Sequence, residues 1–446
     1  MAGFGRRGDG YDDGRPEAPN RGGAAPGDGA PRRADRGALA ATALTIVAAL
    51  VAVALVFAFL CLPNIRRTAE RAATATSGAD AATDGATDGD VSRGAAPSPV
   101  DPALTKARRL VAGMSLEERV GQLVMAPLFA GSNASALKSA IADRHVGSVL
   151  VIGNWRTGVA GVRKVTDALQ SYAPEGNRLI VTTDQEGGQV QHLKGAGFDT
   201  MPSAVEQGRL SADALRRSAA TWGAQLKAAG INVDLAPVLG TVTIDRASNA
   251  PIGALDRDFG LDASGNAEHG TAFVEGLRDA GVASSVKHYP GLGAVRGNTD
   301  FTADGIVDST TTADGDQIGA FHTVIDEAKP AMVMMSLATY QRIDPDNPAA
   351  FSSVILDGLL RGTHGYDGVV TSDSLSAEAV AHVATDQLGV RFVEAGGDLA
   401  CVGQVADIVP ILDGLNKRAK EDEAFARKVT TAATRVIRLK VQMGLA

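Results

Sequence analysis

The chain has 446 residues, 45% of them apolar and only 4% aromatic, which allows one large barrel or two or three ordinary domains with a sizeable core. A net charge of −8 provides no concentrated basic surface to neutralise phosphates, which excludes nucleic acid as the main partner. The two cysteines, Cys61 and Cys401, lie in an apolar run and in a predicted buried strand, so a disulfide framework is excluded as well.

Residues 1–37 are rich in Gly, Pro, Arg and Asp and carry almost no large apolar side chains. Such a segment buries too little surface to offset its ordering entropy and is predicted to be disordered. Residues 38–62 then run for 25 positions without a charge, dominated by Ala, Val and Leu, which is long enough to span a bilayer as one helix. Seven arginines precede this run and Arg66, Arg67 and Arg71 follow it, a positive-inside bias that favours a cytoplasmic N-terminus. A cleaved signal peptide is the rival reading, but the run is longer than a usual signal core and no A-x-A-type site closes it. Cys61 follows Ala58-Phe59-Leu60, a poor match to a lipidation site. The expectation is therefore a single-pass signal anchor in the cell membrane, with the rest of the chain extracytoplasmic. Residues 63–100, rich in Ala, Thr, Gly, Asp and Ser, read as a flexible linker.

From residue 101 short apolar runs alternate with amphipathic stretches, the pattern of βα units around a parallel sheet. Strands are predicted over 123–128, 146–152, 179–183, 233–238, 282–286, 331–335, 368–371 and 398–402. Helices are predicted over 212–229, 263–280, 317–327 and 377–390. Eight strands with helices between them fit a single α/β domain over 101–446, a (β/α)8 TIM-type barrel. A doubly wound open sheet is the alternative, but its glycine-rich dinucleotide fingerprint is missing after the first strand.

Chemistry in such a barrel lies at the C-terminal ends of the strands. Polar residues cluster there: Asp184-Gln185-Glu186 after the third strand, Lys287-His288 after the fifth and Asp373 after the seventh. Asp184 suits a bidentate grip on adjacent sugar hydroxyls, because a carboxylate offers two acceptors. Glu186 reads more readily as a turn residue bonding backbone groups. Asp373 has a plainer reading too, as a cap for a following helix. The Lys287–Gly293 stretch leads into a polar loop ending in Asn298-Thr299-Asp300.

These motifs, with Gly230-Ile231-Asn232-Val233-Asp234-Leu235-Ala236-Pro237-Val238, Arg257-Asp258-Phe259-Gly260 and Thr371-Ser372-Asp373, resemble family 3 glycoside hydrolases, specifically the single-domain bacterial exo-β-N-acetylglucosaminidases of NagZ type. The resemblance spans about residues 103–443. It implies a retaining, cofactor-free and metal-free hydrolase that removes terminal GlcNAc from cell-wall muropeptides or related glycans. It also implies Asp373 as nucleophile, with Asp184, Arg257, Lys287 and His288 binding the sugar. His192 is a peripheral candidate, and Asn249 reads as a turn residue.

The general acid/base is where the chain departs from the pattern. Where such enzymes carry an Asp-Ser/Thr-His dyad, this sequence has Asn298-Thr299-Asp300. Asparagine cannot donate and recover a proton, so Asp300 is assigned as acid/base. Leu337 replaces a His common after the sixth strand, and Gly240 stands where an Asp is common. Two rival functions follow: another family 3 specificity, such as a β-glucosidase or a phosphorylase, and a catalytically silent surface glycan-binding protein. The expected partners are a carbohydrate substrate and the membrane, with the chain acting as a monomer.

Overall fold

The computed structural model of the protein describes residues 101–446. The predicted disordered segment 1–37, the span 38–62 with Cys61, and the linker 63–100 lie outside the described residues. Among the described residues no helix is long and apolar enough to cross a membrane.

All eight predicted strands are present and parallel: β1 Val124–Phe129, β2 Ser148–Ile152, β3 Ile180–Thr183, β4 Val233–Asp234, β5 Ala283–Tyr289, β6 Met332–Met335, β7 Val369–Ser372 and β8 Ala400–Cys401. They pair in the order β7-β6-β5-β4-β3-β2-β1-β8. A bridge from Thr371 to Leu399, just before β8, brings the two ends of this order together, so the sheet is a nearly closed barrel. Helices fill the connections, among them α1 Gly158–Gln170, α2 Ala212–Ala228, α3 Ala263–Asp279, α4 Asp316–Ala328, α5 Thr385–Glu394, α6 Ile408–Glu421 and α7 Glu423–Gln442.

The strands read as continuous apolar runs because a parallel sheet is buried on both faces. One face supplies a cluster formed by Met125, Leu150, Ile180, Val233, Met332, Val369 and Leu399, which α7 joins through Val436 and Leu439. The other face packs under the helices in a much larger core. Burial of each such side chain contributes about 1.5–3 kcal/mol. The helix layer is close-packed: a Cβ on Gly276 of α3 would lie 2.3 Å from the Arg216 carbonyl oxygen of α2.

Three boundaries differ from the sequence expectation, each for a physical reason. The fourth strand stops at Asp234 rather than running to 238, because Pro237 has no N–H to donate to the ladder. Pairing resumes as a bridge between Val238 and Lys287. The fifth strand does not end at 286 but continues through Lys287, His288 and Tyr289, all buried. The Lys287 ammonium is tolerated there because the carboxylates of Asp184 and Glu186 at a neighbouring strand end receive it. Finally, the helix expected over 377–390 begins only at Thr385. The segment before it is taken up instead by the loop after β5: the N–H groups of Glu378 and Ala379 donate to the carbonyls of Asp300 (3.3 Å) and Thr299 (3.1 Å).

Candidate active site

The residues predicted to carry chemistry converge at the C-terminal mouth of the barrel. At its floor lies a buried network of ions. Lys287 Nζ sits 2.5 Å from Asp184 Oδ1 and 2.6 Å from Glu186 Oε1. Arg257 grips Glu186 through two parallel bonds, Nε to Oε2 at 2.9 Å and an Nη to Oε1 at 2.7 Å, and also donates to the Pro251 carbonyl at 2.8 Å. Lys287 and His288 are consecutive, yet both face carboxylates, because the ladder shifts register between Val286 and Tyr289.

The network explains its own protonation. Burial would raise the Glu186 carboxyl, but Arg257 and then Lys287 outweigh it and hold it below the usual carboxylate range. Burial would likewise discharge Lys287, and the charges of Asp184 and Glu186 keep it cationic instead. Arg257 is held charged in the same way by Glu186. Glu186, expected to shape a turn, is thus the shared counter-ion of both cations. The missed signal was its spacing, since residues i and i+2 of an extended segment lie on one face. With Arg257→Ala the buried Glu186 keeps only Lys287. Breaking such a pair costs about 3–5 kcal/mol, and denaturant unfolding at neutral pH is expected to register that loss together with weaker substrate binding.

The neighbouring loops are pinned by side-chain amides. Gln185 exchanges two bonds with the backbone of Leu193 (2.9 and 3.0 Å), and Gln191 bridges the Asp199 carbonyl (2.7 Å) and the Met201 N–H (3.0 Å). They hold His192, whose Nε2 lies 3.8 Å from Asp184 Oδ2 at the edge of the site. Burial lowers its proton affinity. Asn249 is fully buried and bonds Leu292, Val295 and Gly253 backbone groups, a structural turn residue as expected. Leu337 is also fully buried and presents nothing polar to the pocket.

Asp373 follows β7 directly. Its N–H donates to the Met335 carbonyl (2.9 Å), extending the ladder, and its Oδ1 accepts from Ser374 N–H (2.8 Å). No helix begins beside it, so it caps nothing. His288 Nε2 lies 3.9 Å from Asp373 Oδ2. Burial, and then the Arg257 and Lys287 charges, push His288 well down, so this ring is neutral at physiological pH and has one N–H to donate.

Asp300 sits on the loop after β5, in a turn made by the residue that breaks the expected dyad. Asn298 Oδ1 accepts from Asp300 N–H at 3.0 Å. Asn298 therefore has a structural task, aiming the carboxyl two residues on. Burial first and the charge of Asp300 second push Asp373 up to about 7. Asp300 is raised as well, chiefly by burial. The charge of Asp300 opposes ionisation of Asp373, so one of the two carboxyls keeps its proton up to about 7.

Asp234, within a quoted motif but not singled out, completes the site. It is 1% exposed at the end of β4; its Oδ1 accepts from Gln185 N–H at 2.9 Å and its Oδ2 has no partner. Burial, reinforced by Asp184 and Glu186, lifts it from 3.8 to about 8. The folded state therefore keeps a proton that the unfolded chain releases near its ordinary value. Stability from this group is complete below that value and is lost as pH rises through about 8. The slope is at most about 1.4 kcal/mol per pH unit. In urea titrations across this range, Asp234→Asn is expected to flatten the fall in stability; an unchanged slope would show that another group sets it.

These features define a carbohydrate-processing barrel, and comparison with known proteins agrees. The family model described as the glycosyl hydrolase family 3 N terminal domain matches residues 115–439, and the chain belongs to that family. It is 41% identical to the crystal structure of a beta-N-acetylhexosaminidase from Beutenbergia cavernae, with a TM-score of 0.71 over 75% of this chain and 99% of that one. It is 29% identical over 368 residues to the beta-hexosaminidase LpqI of Mycobacterium tuberculosis, covering 78% of this chain and 89% of the relative. A family 3 beta-N-acetylglucosaminidase from Paenibacillus sp. is 29% identical, with a TM-score of 0.67 over 75% of this chain and 63% of that one.

Proposed function

We propose that the protein is a retaining exo-β-N-acetylglucosaminidase. The observation that carries this is the convergence, at the C-terminal ends of the strands, of Asp373 beside His288 with the buried ion network of Asp184, Lys287, Glu186 and Arg257, while the Asp300 loop is tied by backbone bonds to the segment that follows Asp373. Asp373 attacks the anomeric carbon as the C–O bond to the leaving group breaks, and Asp300 gives that oxygen its proton. A water then attacks the covalent glycosyl-enzyme, passing its proton to Asp300 and freeing Asp373. Asp184 accepts from sugar hydroxyls. Lys287, Arg257 and neutral His288 donate to hydroxyls or to the acetamide carbonyl.

The names of the relatives support GlcNAc as the sugar, and muropeptides or related wall glycans are the proposed natural substrates. The uncharged run 38–62 supports an anchor that holds the domain outside the cytoplasm. The test compares hydrolysis of aryl β-GlcNAc and aryl β-glucoside, each with and without phosphate. Preference for the GlcNAc substrate, independent of phosphate, is expected. Faster cleavage of the glucoside, or a sugar phosphate product, would give the site to another family 3 reaction. An inert protein would favour the silent glycan-binding reading.

A further inference from the structure

The acid loop carries a feature that the hydrolytic machinery leaves unused. Phe301, next to Asp300, is 79% exposed. Aromatics make up only 4% of this chain, and among the described residues the exposed phenylalanines are Phe301 and Phe129. Phe129 ends β1, so both lie at the catalytic mouth. A single exposed apolar side chain needs no explanation by itself; that the two most exposed phenylalanines among the described residues both lie at the mouth does.

The position of Phe301 is built with care. The Asn298 carbonyl accepts from both Phe301 N–H (3.0 Å) and Thr302 N–H (3.1 Å), and the N–H groups of Arg296 and Gly297 close the loop neck on the Gly305 carbonyl (2.9 Å each). The neck is tight enough that a Cβ on Gly297 would lie 2.0 Å from the Asp304 carbonyl oxygen. On its outer side the loop is tied to Glu378 and Ala379 through the carbonyls of Asp300 and Thr299. The tip is therefore preorganised, which lowers the ordering cost of any contact it makes.

Chemistry decides which side of the scissile bond this tip serves. An acid that protonates the leaving oxygen stands on the leaving-group side, so its immediate neighbour borders that group rather than the GlcNAc being removed. A pyranose ring turns a face of C–H groups outward, and an aromatic ring covers such a face while leaving the hydroxyls to water. We propose that Phe301 is the platform for the leaving-group sugar and a specificity-determining residue for the aglycone. This rests on the glycosidase reading above.

The test uses the full chain as wild type, Phe301→Ala and Phe301→Tyr, with chitobiose and β-GlcNAc fluoride as substrates. The fluoride has no sugar on the leaving side and needs no acid. The ratio of kcat/KM for chitobiose to that for the fluoride is expected to fall about tenfold in Phe301→Ala, the scale of an aromatic contact, and to return in Phe301→Tyr, which keeps the ring. An equal loss on both substrates would make Phe301 a structural loop residue and overturn the proposal, as would a ratio that does not move. A wild type inert towards both would remove the glycosidase reading and this inference with it, an outcome distinct from failure of the platform alone.

Discussion

Asp373→Ala is expected to lose on the order of 10⁴-fold or more in kcat, as removal of a nucleophile does in covalent mechanisms. The loss should appear on every substrate, whatever its leaving group, because no route to the glycosyl-enzyme is left. Folding should survive: the Asp373 side chain takes one bond from Ser374, and its backbone N–H keeps the Met335 carbonyl. Circular dichroism and unfolding midpoints beside the kinetics separate lost chemistry from lost structure. Turnover close to wild type would show that the carboxyl at the end of β7 is not the nucleophile.

Asp300→Ala should behave differently, because an acid matters in proportion to how badly the leaving group needs a proton. A loss of about 10²–10⁴-fold is expected on alkyl or sugar leaving groups, with glycosyl-enzyme formation nearly spared on 2,4-dinitrophenyl β-GlcNAc. Azide should restore turnover by attacking the glycosyl-enzyme without needing a base. The pH profile carries the sign of the coupling. The active form holds one proton on the pair, and that proton leaves only near about 7, because burial and the charge already on the partner oppose its loss. Activity should fall as pH rises through this value. Asp300→Asn, assayed on the activated substrate, should lose that alkaline limb, since no acid proton is left to remove. An alkaline limb that persists unchanged would belong to a different group.

Much of this fold was legible because the barrel strands are apolar runs with few alternatives: Met332–Met335 is buried throughout, as is Ser148–Ile152 up to its last residue, and both read so. What escaped was set by distant partners. Lys287 and His288 look like loop residues until Asp184, Glu186 and Asp373 are brought opposite them by strands far away in sequence. Glu186 looked like a turn residue because its two cations come from other parts of the chain. Asp234 is a single acid in an apolar strand, and only its burial beside Asp184 and Glu186 gives it a proton to keep. In the same way, Asn298 looked like a lost catalytic residue. Its bond to Asp300 N–H shows that the same position shapes the turn on which Asp300 sits.

The most direct test of the mechanism is to trap its intermediate. In Asp300→Asn, the 2,4-dinitrophenyl substrate should load the enzyme, and the glycosyl-enzyme should then wait for a water that no base activates. Peptide mass mapping after rapid acid quench is predicted to find one N-acetylhexosamine attached to Asp373. The sugar on another residue, or an unmodified protein during steady turnover, would contradict the account.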